Sequence, residues 1–225
     1  MQRWHPHLVV VLSLLIGATT MYGQPMNKQD TQEFIRAADR NDTETIDRLL
    51  REGVSIDVRD GRGRTALLAA TSRNHVESAK LLIAAGADVN AQDSKQDSPL
   101  LLSGASGFVE ILTLAVQAKP NFKRYNRFGG TALIPACERG HVEAVKVLLK
   151  TDIDIDHVNK LGWTALLEAI ILSDGGPRHQ EIVRMLVAAG AKVNIPDQDH
   201  VTALQHARQK GYREIVGTLE AAGAR

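Results

Sequence analysis

The sequence is poor in aromatic residues and contains a single cysteine, Cys137. Phenylalanine, tryptophan and tyrosine make up 4% of its 225 residues, so a core must be built from Leu, Ile, Val and Ala side chains. One thiol cannot form an internal disulfide, which leaves packing as the source of stability. These shortages favour stacked helices whose backbones approach closely.

The sequence also lacks an excess of charge of either sign. It has 27 basic and 26 acidic residues, without long blocks of one sign. A nucleic-acid-binding protein normally carries a basic patch or stripe. We therefore expect no nucleic-acid partner.

Residues 1–23 have the features of a cleavable export signal. Arg3 precedes a short apolar run over 8–16, and small residues follow as far as Gly23. This order is typical of secretory signals, and the run is shorter than the ~20 apolar residues of a membrane span. We expect a periplasmic or secreted protein with no stable membrane span after cleavage. An uncleaved anchor is the alternative.

A three-residue motif of Thr or Ser, Ala or Pro, and Leu recurs along the chain. It begins at Thr65, Ser98, Thr131 and Thr164, spaced by 33 residues, and again 38 residues later at Thr202. A fixed period of this length predicts stacked structural units that share one continuous core. Such a stack offers a long surface rather than a buried cleft, which favours binding over catalysis.

The unit that begins at Thr131 illustrates the pattern. We expect Thr131 to cap a first helix, which ends at Gly140. Val and Leu residues at helical spacing predict a second helix over 142–149. The alternation of Ile and Asp over 153–158 then suggests a strand-like segment that leads into a turn. Each unit therefore contains two helices and a hairpin-like finger.

Residues 63–90 carry GRTALLAA, then NHVE, then LLIAAGADVN, and this stretch resembles the ankyrin repeat. Five matches in register extend the resemblance over about residues 30–225, and the segments 140–143 and 204–212 are similar to small exported bacterial ankyrin-repeat proteins. The resemblance implies an all-α repeat solenoid. This would be an ankyrin-type stack of helix-turn-helix pairs with β-hairpin-like finger loops.

We accordingly divide the chain into a signal peptide (1–23), a short linker (24–29) and an ankyrin-repeat domain (30–225) of about six repeats. The repeats are an N-terminal cap (30–60), 61–93, 94–126, 127–159, 160–197 with an insertion, and a C-terminal cap (198–225). The insertion adds five residues between two helices. We expect residues 173–180 to form a protruding loop, which is either surface variation or a contact for a partner.

Residues that could carry chemistry have simpler structural explanations. Cys137 lies on the apolar face of a first helix, and a nucleophile would need a base and an orienting group beside it. His75 and His141 occupy a position where the family pattern itself has His, and no Cys/His pair has the spacing of metal ligands. We expect no enzyme activity, no cofactor and no metal. An enzyme or redox protein that uses Cys137 is the alternative.

The resemblance implies that finger tips and the exposed sides of first helices form one concave surface. Aromatic and Arg residues exposed on such a surface are the usual anchors of an interface, although Phe128 and Trp163 would serve equally to stiffen two fingers by packing together. The predicted partner-binding residues are Arg62, Arg64, Arg73, Lys95, Tyr125, Arg127, Phe128, Arg139, Leu161, Trp163 and Leu172.

The sequence therefore predicts a monomeric, non-enzymatic scaffold that binds another protein outside the cytoplasm. Two alternatives stay open. One is an accessory protein that supports a periplasmic enzyme or a defence against oxidative stress, as the resemblance to exported bacterial relatives implies. The other is a small-ligand or metal receptor that uses the loop 173–180.

Overall fold

The computed structural model describes residues 28–225, and within them all regular secondary structure is helical. The predicted signal peptide and residues 24–27 of the predicted linker lie outside the described residues. Twelve helices follow one another in six pairs over 28–225. They are α1 (Lys28–Asp39), α2 (Thr43–Arg51), α3 (Ala66–Ser72), α4 (Val76–Ala84), α5 (Pro99–Ser106), α6 (Val109–Gln117), α7 (Leu133–Glu138), α8 (Val142–Leu148), α9 (Ala165–Ile171), α10 (Pro177–Ala188), α11 (Ala203–Gln209) and α12 (Arg213–Ala221).

The helix pairs stack into two layers. Each first helix packs on the first helix of the next pair, from α1 to α11, and each second helix packs on the next second helix, from α2 to α12. The buried side chains form one hydrophobic cluster that runs from Phe34 to Leu219. This arrangement confirms the predicted all-α repeat solenoid.

Small and aliphatic side chains make the close stacking possible. The first helices bury alanines such as Ala66, Ala69 and Ala136, each fully inaccessible to solvent. Between α5 and α7 the contact is tighter still, because a Cβ added at Gly104 would lie 2.9 Å from the Cβ of Ala132. Small residues at these positions therefore allow the neighbouring first helices to approach each other.

Hydroxyl caps begin most of the first helices. The Oγ1 of Thr65 accepts a hydrogen bond from the Leu68 N–H at 3.2 Å, and Ser98 and Thr164 cap α5 and α9 in the same way. Thr202 and Gln205 form a reciprocal capping box at α11. These bonds satisfy backbone donors that a helix leaves unpaired at its start.

The predicted cap at Thr131 is wrong. Its Oγ1 is buried without a hydrogen-bond partner, and α7 starts only at Leu133. Pro135 explains the difference. In the other repeats the residue four positions after the cap donates its backbone N–H to the cap carbonyl, as Ala69 does to Thr65 at 3.0 Å, and proline has no N–H to donate.

The fingers are hairpin-like loops rather than strands, so the strand-like interpretation of 153–158 is wrong. Ile153 is buried while Val158 is 44% exposed, and the segment is a turn at residues 155–156 between stretches of irregular backbone. Neighbouring fingers share isolated backbone bonds, such as Lys160 N–H to Phe128 O at 2.9 Å. Isolated bonds of this kind do not make the regular ladder of a sheet.

The insertion does not form a protruding loop. The turn between α9 and α10 is two residues longer than the turn between α3 and α4. Helix α10 has 12 residues where α4 has 9, and the three additional residues lie at its start, from Pro177. Proline is favoured at the first position of a helix because the N–H that it lacks would be unpaired there anyway. Most of the five extra residues therefore lengthen a helix.

Candidate partner-binding site

An Asp or Asn side chain organises the tip of every finger within the described residues. In the first finger the Oδ1 of Asp60 accepts from the backbone N–H groups of Arg62 at 2.8 Å and Arg64 at 3.0 Å, and the backbone N–H of Asp60 donates to Arg64 O. The same bonds recur at four further fingers, which begin at Asp93, Asn126, Asn159 and Asp197. These turns fix the tip residues in space.

Hydrogen bonds also hold successive fingers to one another. The backbone N–H of Ser94 donates to Arg62 O at 3.0 Å. The side chain of Gln92 donates to Tyr125 O at 2.7 Å, and His157 Nε2 lies 2.7 Å from Gly129 O. The tips therefore form one continuous row rather than a set of independent loops.

A groove lies between this row and the first helices α5, α7 and α9. Its rim carries three large apolar side chains that are about half exposed, with relative exposures of 50% for Phe128, 47% for Leu161 and 50% for Leu172. Ile134 and Pro135 of α7 line the groove as well. Exposed apolar side chains that cluster in this way mark a binding surface more often than isolated ones do.

Two arginines stand beside the apolar rim. The Arg127 guanidinium lies 4.6 Å from the centre of the Phe128 ring, and its Nη1 is 4.0 Å from the Asp97 carboxylate. Arg139 donates from Nη1 to Ala105 O at 2.8 Å. Partial burial and the nearby charge of Asp93 raise the pKa of Asp97, and Arg127 opposes that rise.

Glu168 is a buried carboxyl that lines the groove, and sequence reasoning missed it. It is 5% exposed, and its Oε1 accepts a hydrogen bond from Asn159 Nδ2 at 2.8 Å. Burial, reinforced by the charge of Glu138, raises the pKa of Glu168 to about 7. Glu168 stands four residues after the Thr that starts its repeat motif. The sequence signal that would have found it is an acid at this position, where the other repeats have Ala69, Leu102, Pro135 and His206.

Five of the predicted partner-binding residues line the groove together. They are Arg127, Phe128, Arg139, Leu161 and Leu172. Lys95 lies just beyond it, where it borders a shallow depression with Arg127 and Lys160. Arg62 is an exposed tip residue of the first finger.

The other predicted residues are placed elsewhere. Arg64 pairs with Asp60 at 2.9 Å, and Arg73 lies 3.5 Å from the Asp39 carboxylate. Trp163 is partly buried against the hydrophobic core. Tyr125 stacks on His157 with 4.3 Å between the ring centres, so each of these side chains has a structural contact of its own.

Cys137 is fully buried, and burial raises the pKa of its thiol. This disfavours the thiolate, which is the reactive form of cysteine. Within residues 28–225 no group of three His, Cys, Asp or Glu side chains is arranged to hold a metal ion. None of the helices described there is both long and apolar enough to cross a membrane.

The inserted segment is packed between its neighbours. His179 Nε2 lies 3.0 Å from Glu138 O of the preceding repeat, and its Nδ1 lies 3.1 Å from the Asp174 carboxylate. On the other side the Tyr212 hydroxyl donates to Ser173 O at 2.6 Å. The segment 173–180 therefore ties three successive repeats together.

Comparison with known proteins identifies the family. The family profile described as "Ankyrin repeats (3 copies)" matches residues 34–124 and 103–197. The chain belongs to the ankyrin repeat family, as the sequence predicted. Ankyrin repeats generally mediate protein–protein interaction, and members of the family are typically non-enzymatic scaffolds.

Individual relatives agree with this assignment. An ankyrin repeat domain from Acinetobacter baumannii AYE is 50% identical with a TM-score of 0.84, covering 85% of this chain and 98% of its own. The ankyrin repeat protein EF0377 is 41% identical with a TM-score of 0.82, covering 84% and 97%. The ankyrin repeat domain of Bcl-3, a member of the IkappaB protein family, is 25% identical with a TM-score of 0.77, covering 86% of each chain.

A shorter match concerns a protein of Escherichia coli (strain K12) named "Putative ankyrin repeat protein YahD". It is 47% identical over 58 residues, which is 26% of this chain. The matched segment spans 29% of that protein's length.

Proposed function

We propose that this chain is a non-enzymatic scaffold that binds another protein through the groove and acts outside the cytoplasm. The observation that carries the proposal is the half-exposed cluster of Phe128, Leu161 and Leu172 beside two arginines. The chain that carries this cluster belongs to a family that generally mediates protein–protein interaction. Large apolar and Arg side chains are the groups that dominate binding energies in protein interfaces. The signal-like sequence pattern over 1–23, a short apolar run after Arg3, supports the location.

Co-purification from cells tests the binding surface. The tagged wild-type chain is compared with a variant carrying Phe128→Ser, Leu161→Ser and Leu172→Ser, and with Val158→Ser as a control. Val158 is similarly exposed, at 44%, but lies outside the groove. We expect the wild type and the control to recover the same protein and the triple variant to lose it. Equal recovery by the triple variant would remove the groove from the proposal.

Cell fractionation tests the location. The chain carries a C-terminal tag so that cleavage at the N-terminus is visible as a loss of mass. We expect a product shortened by about 23 residues in the periplasm or the medium. A full-length product in the cytoplasm would contradict the export of this chain.

A further inference from the structure

The residues at the finger tips change in character along the stack. Two positions after the Asp or Asn of each finger stand Arg62, Lys95, Phe128, Leu161 and Asp199 in turn. The residue immediately before this position is Arg127 in the third finger and Lys160 in the fourth. Four successive fingers therefore carry a cation, and apolar groups occupy the middle of the row.

Three of these four cations have no ion pair within the described residues, and the fourth, Arg127, lies 4.0 Å from the Asp97 carboxylate. Within residues 28–225 the side chains of Arg62 and Lys95 have no ion pair, and Lys160 Nζ donates only to a backbone carbonyl, Arg127 O, at 3.1 Å. Lys95, Arg127 and Lys160 surround one shallow depression next to the groove. An acidic side chain placed there would meet positive charge from three fingers.

Three acids line the groove, and Asp97, the last residue of the second finger turn, offsets part of the charge of Arg127. The other two, Glu138 and Glu168, come from the helices α7 and α9. Glu168 is 5% exposed. A nucleic-acid backbone would meet these carboxylates and the apolar rim, where its phosphates would be repelled and poorly solvated. A protein segment that combines apolar and acidic residues fits both parts of the surface.

We propose that the groove takes an apolar side chain of the partner between Phe128, Leu161 and Leu172, while Asp or Glu residues of the same segment meet Lys95, Arg127 and Lys160. This rests on the proposed function and specifies the partner's chemistry. Packed helices are ~10 Å apart, so the backbones of neighbouring fingers have about that spacing. An extended chain advances ~3.3 Å per residue, so the acids stand three residues from the apolar anchor or from each other.

Selection from a random 12-residue peptide library displayed on phage tests this proposal. The purified chain is the bait, and enriched peptides are synthesised with a fluorescent label for titration. We expect them to carry Leu, Ile, Phe or Trp with Asp or Glu three residues away. The double variant Leu161→Ser and Leu172→Ser should bind them at least ~10-fold more weakly, because anchor residues dominate binding.

Charge reversal provides the second measurement. We expect Lys95→Glu with Lys160→Glu to weaken the selected peptides ~10-fold and, when used as bait, to enrich Lys and Arg instead of acids. The matched control reverses Lys80 of α4 and Lys150 in the turn after α8, which are both exposed and do not line the groove. The control variant and Val158→Ser should both bind the selected peptides with an affinity within about 2-fold of the wild type. Thermal unfolding of each variant verifies that it is folded.

The possible failures are distinguishable. The inference would be overturned, with the proposed function left in place, by either of two results. The selected peptides could depend on the groove but carry no acids, or the charge-reversed bait could select the same peptides as the wild type. Peptides that bind the groove variants as tightly as the wild type, an empty selection, or tighter binding of a 20-nucleotide single-stranded DNA would also overturn the inference. The proposed function fails separately, if the cellular partner is still recovered by the triple groove variant.

Discussion

At the scale of single residues, Thr131 and Thr164 show how one neighbour changes the role of the same side chain. Both occupy the same position in their repeats, just before a first helix, and both are almost fully buried. Thr164 caps the Leu167 N–H at 3.2 Å, whereas the Thr131 hydroxyl has no partner. A buried hydroxyl without a hydrogen bond costs free energy that a methyl group of similar size does not.

We therefore expect opposite effects from the same substitution at these two sites. Thr164→Val should lower the free energy of unfolding by ~1 kcal/mol, because it removes a cap. Thr131→Val should leave it unchanged or raise it by ~1 kcal/mol, because it removes an unpaired polar group. Chemical denaturation of the two variants measures the difference. Equal losses would show that Thr131 makes a bond in solution.

Glu168 gives the stability of the protein a dependence on pH. Its pKa is about 7 in the folded chain against an ordinary value of 4.5. Between these two values the folded state holds a proton that the unfolded state has released, so stability falls as the pH rises from about 4.5 to about 7 and is level above that.

Glu168→Gln should remove this contribution, because the amide does not ionise and still offers an oxygen to Asn159. The free energy of unfolding of the variant minus that of the wild type should increase between pH 4.5 and 7 and stay constant from 7.5 to 8.5. Denaturant titrations at several pH values measure it. A difference that does not change with pH would contradict the raised pKa.

At the scale of elements, the turn between α9 and α10 is held by the repeat that follows it. Gly175 has a φ of +66°, and a Cβ added there would lie 2.4 Å from the Tyr212 ring. Gly211 has nearly the same backbone, with a φ of +72°, but open space around it. The two glycines therefore separate the cost of backbone strain from the cost of crowding.

Gly211→Ala should lower the free energy of unfolding by ~1 kcal/mol, which is the cost of a left-handed conformation. Gly175→Ala should cost a further ~1–3 kcal/mol, because the added methyl group displaces the tyrosine ring. Thermal or chemical unfolding of both variants tests the comparison. Equal destabilisation would mean that the inserted turn is not packed on α12's repeat.

At the scale of the whole molecule, the helices of residues 28–225 pack mainly on those of the neighbouring repeats, so stability is distributed along the stack. Leu148 and Leu219 occupy the same position in α8 and α12, and both are fully buried. Cys137 lies in the same repeat as Leu148, and one whole repeat separates it from the repeat that contains α12. Its buried thiol reports local opening of the middle of the molecule.

We expect Leu148→Ala to accelerate labelling of Cys137 by a thiol reagent ~30-fold or more, since such a truncation costs ~2–5 kcal/mol and each ~1.4 kcal/mol is tenfold. Leu219→Ala should accelerate the labelling of Cys137 less than ~3-fold, because the terminal repeat can unfold while the repeat that contains Cys137 stays folded. Labelling kinetics without denaturant distinguish the two. Equal acceleration would show that the stack opens as one unit.

The recurrence of the Thr-Ala-Leu motif, together with the helical spacing of Val and Leu, was sufficient to predict the paired helices and their stacking. These features are local and repeated, so each repeat reinforces the same interpretation. Several tip residues, including Phe128 and Leu161, could be assigned to the same surface for the same reason. The pair formed by Arg73 with Asp39 could not, because that acid comes from the preceding repeat.

By itself, the sequence determined the fold class, the aliphatic core and the positions of the turns, because periodicity, capping and backbone preference act over a few residues. Only the tertiary structure decided that five predicted residues share one groove, that Glu168 lies buried beside it, and that the insertion packs against Tyr212. Those outcomes depend on which side chains of neighbouring repeats meet across the stack. Packing between elements sets such contacts, and it has no signature in any one repeat.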